Sequence, residues 1–488
     1  MILKRTQTAL LRSNSPGVPA TAWVALAGWI ALAIAAGLVL RVWFIVHAAR
    51  IDGDTLIYGD IAKNLLAHGV YGFSQTAKGP VPTLIRLPGY PLFLMVCFRV
   101  FGIDHYTAVM GVQAVIDLVT CGLAAGLAGR LFGWRGGMAA LWLGAVCPFT
   151  ANYVAAPLTE TLSLFCVALA FYGLERWKSA GMGWNRWVWV IGAALGYALL
   201  LRPEQGLLAA AVVSAMHWMV WRRGGSGREF APVFAAAVCV VLPLVPWTVR
   251  NWRTFHVVQP LAPRFATDPG EFVPVGFQRW FRTWAIDFAS TENVYWNYNG
   301  ASIEVGNLPS RAFDNDDQYN RTAAILEDYN RDDNATPALD ARWEALAEER
   351  IQANPIRYYV ALPVARLLNM LLRPRFEMMG ISLEWWKWRQ NHFFAAFGWA
   401  YGALNLAYFI LGGLGLWVWR RRGWCGEREL AWAMMGFVVL RCALLLTIDN
   451  SEPRYTLEFF PVILVWSGAL FSRREEEERI ALSRDCLP

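Results

Sequence analysis

Ten apolar runs punctuate the chain, each long enough or nearly long enough to cross a hydrocarbon layer of roughly 30 Å, which takes about 20 helical residues. They cover approximately 22–48, 106–129, 137–151, 156–174, 186–201, 206–221, 231–249, 394–419, 430–448 and 455–471. The third and fifth are short. With 56% hydrophobic residues, only 17% charged residues and 26 Trp in 488 positions, the pattern excludes a cytosolic fold and predicts an all-α polytopic membrane protein with about ten crossings. The first run is too long for a signal-peptide core, and no small-residue cleavage site follows it.

Orientation follows from the loops. If Lys4, Arg5 and Arg12 are cytoplasmic, the same side receives Arg130 and Arg135, then Arg176, Lys178 and Arg186, then Arg222, Arg223 and Arg228, then Arg420, Arg421, Arg422 and Arg428. The net charge of +7 therefore reflects orientation in a membrane and gives no reason to expect nucleic-acid binding. This divides the chain into a cytoplasmic N-terminus (1–21), a core of about seven helices (22–249) containing an extracytoplasmic loop (50–105), and an extracytoplasmic cap (250–393). Three further helices (394–471) and a cytoplasmic tail (472–488) complete it. The cap is nearly neutral, with 18 acidic residues against 16 Lys or Arg, and reads as an ordered unit. Its Trp280, Phe281, Trp284, Tyr295, Trp296 and Tyr298 are frequent enough to line a sugar or lipid groove, but are expected mainly to anchor it at the membrane interface. An interfacial helix is expected around 357–372, where Pro363 and Arg366 interrupt the apolar run.

The chemistry gathers on the face opposite the positive loops. After the first crossing come Asp52 and Asp54, then apolar residues at Tyr58, Ile61, Ala62, Leu65 and Leu66, the spacing of one helical face, with Asp60, Lys63, Asn64 and His68 on the other side. Gly69 suits the end of that helix, and Pro88 and Pro91 bar a long helix from running through the return to the bilayer. Glu160, Arg202, Arg250, Glu452 and Arg454 fall on the same outer face. Each has a plain structural reading: Asp-Gly-Asp is ordinary turn chemistry, Glu160 could serve a helix dipole, and arginines snorkel to headgroups. Asp117 and Arg441 lie inside apolar runs, where an unpaired charge costs about 2.5–3.5 kcal/mol, so each is expected to have a partner. The eight Cys suggest neither a disulfide framework nor a metal pair. No phosphate-binding GxxxxGKS, GxGxxG, HExxH or GxSxG pattern occurs.

Asp54 with Tyr58, Ile61-Ala62, Asn64-Leu65-Leu66, Gly69-Val-Tyr71 and Arg86-Leu-Pro-Gly-Tyr-Pro91, followed in order by Leu158-Thr-Glu160, Leu201-Arg-Pro203, Pro246-Trp-Thr-Val-Arg-Asn251 and Glu452-Pro-Arg-Tyr455, resembles the membrane glycosyltransferases of the GT-C superfamily. Within it the chain resembles the bacterial protein O-mannosyltransferase-like and aminoarabinose-transferase-like families. Many such relatives carry Asp-Glu at the acidic site; here Asp54 precedes Thr55.

The resemblance implies transfer of a monosaccharide from a polyprenyl-phosphate carrier to a lipid, envelope-glycan or protein acceptor on the periplasmic side of a bacterial inner membrane. Asp54 would be the general base of an inverting displacement. Arg86, Arg202, Arg250 and Arg454 would bind the donor phosphate, and Asp52, Tyr58, Glu160, Glu452 and Tyr455 would contact substrate. Glu160 with Asp54 could also hold a divalent cation; no other cofactor is implied. The competing class is a transporter or flippase of lipid-linked sugars, which would place ionisable groups near the midplane of two related halves. No internal repeat is evident, and the charges concentrate at one surface.

Overall fold

The computed structural model describes residues 20–74, 79–389 and 392–472. The expected cytoplasmic terminus and tail lie outside the described residues except at their inner edges. Helix α1 (Ala20–His47) leads into α2 (Asp54–His68), which Gly69 ends at φ 66° with its N–H on the Leu65 carbonyl. As the spacing predicts, Tyr58, Ile61 and Ala62 are buried. Asn64, placed on the exposed side by that spacing, is buried as well, because its amide donates to the Gly72 carbonyl at 3.0 Å. That bond ties α2 to a two-residue hairpin, in which β1 (Gly72–Phe73) pairs antiparallel with β2 (Val81–Pro82).

Pro88 and Pro91 do not merely bar a helix; they begin one. Pro88 is the N-cap and Pro91 the third residue of α3 (Gly89–Phe101), first-turn positions where no backbone donor is needed. Helix α4 (Tyr106–Ala145) is broken at Gly133, whose φ of 83° and ψ of 175° no helix contains, and the break separates the second and third apolar runs. Next come α5 (Pro148–Val154), α6 (Glu160–Ser179), α7 (Arg186–Leu201), α8 (Gly206–Arg222), α9 (Ala231–Val241) and α10 (Leu244–Phe255). The cap supplies α11 (Val275–Arg282), α12 (Asp316–Tyr329), α13 (Pro337–Ala353) and α14 (Leu362–Leu372). The chain then returns through α15 (His392–Arg421), α16 (Arg428–Leu445) and α17 (Phe460–Gly468).

Among the described residues four helical stretches, Val24–His47, Tyr106–Ala145, Gly227–Phe255 and His392–Arg421, are long and apolar enough to cross a membrane. The other expected crossings are shorter or less apolar. Helix α17 has only nine residues and is buried along its whole length. Its neighbours approach closely: a Cβ on Gly415 of α15 would come 2.0 Å from the Trp466 carbonyl oxygen.

Both charges inside apolar runs have partners the sequence did not name. Arg41 of α1, itself fully buried, donates to Asp117 at 2.9 Å, and Arg441 lies 3.1 Å from Glu458. Pairing is what keeps such groups tolerable away from water.

The cap aromatics correct the anchoring expectation. Trp280, Phe281 and Trp284 are each at most 1% exposed, packed with Phe277, Tyr298, Tyr329 and Trp343 into the cap's own core. Positions 277, 280 and 281 share one face of α11, and Trp284 in the turn after it extends that face, which closes onto α13 instead of facing lipid. Trp296 is the exception, at 46% exposure. The helix around 357–372 turns Arg366 inward onto the Arg282 and Ala285 carbonyls and leaves Val360, Val364, Leu368 and Leu372 exposed.

One close approach couples fold to site. A Cβ on Gly89 would lie 2.6 Å from the Leu200 carbonyl oxygen, so α3 is held against the corner where α7 ends at Arg202. Gly89→Val is expected to cost about 1–3 kcal/mol through overpacking and to displace Arg202. Thermal unfolding in detergent together with turnover checks this; Gly111→Val, with open space around its Cβ, is the control.

Candidate active site

The loop between α1 and α2, the first turns of α2, the corner after α7, the segment before α17 and part of the cap converge on an open cavity of about 880 Å³. The first loop is fixed to the core there by one backbone and one side-chain bond: the Arg50 N–H donates to the Ala155 carbonyl at 3.0 Å, and Thr55 Oγ1 donates to the Pro157 carbonyl at 3.3 Å. Thr55, the residue after Asp54, is therefore a tether.

Asp54 is the first residue of α2, where a carboxylate also complements the helix dipole. Its two oxygens are taken by two arginines from opposite ends of the chain. Arg86 Nη2 donates to Oδ1 at 2.7 Å, and Arg454 Nη2 donates to Oδ2 at 3.1 Å. Burial alone would raise the Asp54 pKa, but Arg454 and Arg86 reverse that and hold it at about 2. Tyr58, one turn on, is buried near Arg86, and burial lifts its hydroxyl to about 12. It is therefore a neutral donor.

Arg454 extends the network. Its Nε lies 2.7 Å from Glu452 and 3.8 Å from Glu160. Burial pushes the Glu452 carboxyl up, with Arg454 opposing, and one of its oxygens is buried with no hydrogen-bond partner. Arg202 donates to Glu160 at 2.9 Å and to Glu458 at 3.4 Å, and stands 5.8 Å from the Tyr455 ring. Glu160 thus opens α6 while holding Arg202 in place.

Of the residues singled out from sequence, Asp52, Asp54, Tyr58, Arg86, Arg202, Glu452, Arg454 and Tyr455 line the cavity, with Glu160 behind Arg202. Arg250 is not among the lining residues. Its guanidinium donates to the carbonyls of Tyr71 at 2.6 Å and Thr83 at 2.7 Å, bracing the hairpin from behind. Asp268 of the cap braces the same hairpin, accepting from Thr83 Oγ1 and the Leu84 N–H. Glu204, beside Arg202 in the sequence, also lines the cavity, and the sequence reading missed Glu292 and Glu377 in its wall and Glu458 just behind it. A signal existed for Glu458, a second carboxylate six residues after Glu452 at the start of an apolar run.

Among the described residues no three His, Cys, Asp or Glu groups converge as a metal site. Both Asp54 oxygens face guanidinium groups, and Glu160 faces Arg202. As arranged, these carboxylates do not fit a cation.

Residues 81–249 match the family described as dolichyl-phosphate-mannose-protein mannosyltransferase. Over that stretch the chain is similar to the GT-C membrane glycosyltransferases. The match takes in Arg86, Glu160 and Arg202 and ends just before Arg250. No curated protein matches the chain. Among solved structures it is similar to the Archaeoglobus fulgidus oligosaccharyltransferase crystallised with Zn and sulfate, at 13% identity and a TM-score of 0.46 over 91% of this chain and 48% of that one. The oligosaccharyltransferase AglB from the same organism, in complex with an inhibitory peptide and a dolichol-phosphate, gives 12%, 0.47, 91% and 50%. ArnT from Cupriavidus metallidurans bound to undecaprenyl phosphate gives 16%, 0.37, 91% and 78%. The chain spans about half the length of the two archaeal proteins.

Proposed function

We propose that this protein is a membrane glycosyltransferase that moves a monosaccharide from a polyprenyl-phosphate carrier to an acceptor hydroxyl, in one inverting displacement with Asp54 as general base. The observation that carries the reading is the clamp of Asp54 between Arg86 and Arg454 at the mouth of the cavity. A carboxylate and two guanidiniums meeting in one place is what such a transfer needs. The base takes the acceptor proton, the acceptor oxygen bonds to the anomeric carbon, and the sugar–phosphate C–O bond breaks. Negative charge then accumulates on the departing phosphate. The family match supports a phosphate-linked lipid donor, since the family's description names one.

The resting clamp also has a cost. A carboxylate held at about 2 is a poor base. The donor phosphodiester carries one negative charge, and its leaving phosphate gains a second. As Arg86, Arg454 and the nearby Arg202 turn toward that phosphate, Asp54 loses its cationic partners and its basicity rises toward the value burial alone would give. The donor thus switches on its own base.

The sign of this effect is testable. Because the free-protein pKa of Asp54 is depressed, its charge is fully present above the ordinary carboxylate value and lost as pH falls toward about 2. The acid limb of kcat/KM, which reports the free enzyme, should therefore lie below about pH 4. The acid limb of kcat, which reports the donor complex, should lie at higher pH. Coincident limbs, or a kcat limb at lower pH, would count against donor-triggered activation.

The substrate assignment is checked with purified protein in nanodiscs offered undecaprenyl-phosphate-linked sugars or nucleotide sugars. Consumption of the first and not the second is expected; turnover of nucleotide sugars alone overturns the reading. The proposal also places the cavity and cap on the periplasmic side of a bacterial inner membrane with about ten crossings, following the Lys and Arg bias. A cysteine at the exposed Gly300 should react with a membrane-impermeant thiol reagent from outside intact inverted-free spheroplasts. Labelling only after lysis contradicts that topology.

A further inference from the structure

Beyond Asp54 the same cavity continues to charged and aromatic side chains that the transfer chemistry above does not use: Arg50, Asp52, Phe288, Glu292, Trp296 and Glu377. Glu377 is only 8% exposed; one carboxylate oxygen accepts from the Tyr153 hydroxyl at 2.6 Å, and the other is buried with no hydrogen-bond partner. Arg50 ties the wall together, donating to the Glu377 carbonyl at 2.7 Å and to Asp52 at 3.0 Å. Behind it Arg373, 6% exposed, sits with its guanidinium carbon 5.3 Å from the Phe288 ring, and its Nε and one Nη have no hydrogen-bond partner. Burial raises the Glu292 carboxyl while Arg50 and Arg373 oppose it, so Glu292 lies within the field of both arginines. Phe288 and Trp296 meet edge to face at 5.3 Å, and Trp296 is 46% exposed.

We propose that this end of the cavity binds the acceptor, and that the acceptor presents a sugar ring there. The proposal rests on the glycosyltransferase reading of the Asp54 end. Carboxylates accept from ring hydroxyls, guanidinium groups donate to hydroxyl oxygens, and an aromatic face covers the C–H groups of a ring. All three partner types stand side by side here. A serine or threonine peptide offers one hydroxyl and otherwise needs backbone partners, which this wall of side chains does not supply. A phosphorylated headgroup is disfavoured because Asp52, Glu292 and Glu377 outnumber Arg50 and Arg373.

The test separates the two ends of the cavity. Full-length protein in nanodiscs is titrated with undecaprenyl phosphate, and binding of methyl glucosides, galactosides and mannosides is followed by saturation-transfer NMR, with a serine/threonine peptide as competitor. At least one methyl glycoside is expected to bind the wild type, to lose at least about tenfold in affinity with Trp296→Ala and with Glu377→Gln, and to ignore the peptide. Undecaprenyl phosphate affinity should stay within about twofold in both variants. Trp296→Ala alters an exposed ring and guards against a folding defect at buried Glu377. No glycoside binding, unchanged binding in both variants, or displacement by the peptide overturns the proposal. Glycoside binding without any undecaprenyl phosphate binding would sink the donor assignment while leaving the sugar subsite standing.

Discussion

Asp54→Asn should lower turnover at least about 100-fold while leaving donor-lipid binding undiminished, because a positioned base contributes roughly 10²–10⁴ in rate. Asparagine keeps the size and one acceptor oxygen but cannot take the proton of the acceptor hydroxyl. It also removes the negative charge that occupies Arg86 and Arg454, so both guanidiniums become more available to the donor phosphate. Donor affinity should be equal or higher, a combination that simple damage to the site would not produce. Asp52→Asn should be far milder, since Asp52 is 62% exposed at its side chain and, among the described residues, pairs with Arg50 alone. Undecaprenyl-phosphate titration alongside single-turnover rates separates these effects.

Arg454→Gln is expected to be the most damaging single change at the site. Its guanidinium serves Asp54 and Glu452 and lies near Glu160, so the substitution strips charge from the leaving-group side and leaves buried carboxylates uncompensated. A loss of at least about 100-fold in kcat/KM is expected from missing phosphate stabilisation. On the order of 3–5 kcal/mol of stability should go with it, as when one partner of a buried ion pair is removed. Arg454→Lys should not restore activity, because an ammonium cannot reproduce the planar fork that reaches two carboxylates at once. Arg250→Gln gives the contrast: its guanidinium braces backbone carbonyls, so hairpin order and stability should suffer while donor binding in the folded fraction persists. Thermal unfolding and donor titration on the three variants measure both outcomes.

The parts of this arrangement that a sequence can carry are the local ones. The face of α2 and its glycine stop are written in spacing over a few residues and appear in the structure, and of the apolar runs four helical stretches are long and apolar enough to cross a membrane. Counting crossings groups Asp54, Glu160, Arg202, Glu452 and Arg454 on one expected face, and those residues do meet. What could not be read was who pairs with whom. Asp54 and Arg454 are 400 residues apart, so the clamp that sets the resting state of Asp54 has no local signature. Arg250 looked like its neighbours because a guanidinium on the right face is all the sequence shows; only the packed hairpin reveals that it is spent on carbonyls. The aromatic cap was misjudged for another reason. Tryptophans near a membrane and tryptophans in a small soluble core look alike in composition, and only the helical spacing of residues 277, 280, 281 and 284 distinguishes them.

The most direct test of the central claim is the anomeric configuration of the product, read by NMR after purified protein has transferred sugar from an undecaprenyl-phosphate donor of known anomer. A single displacement with Asp54 as base predicts inversion at the anomeric carbon with release of one polyprenyl phosphate per product. A product that keeps the donor's configuration contradicts it.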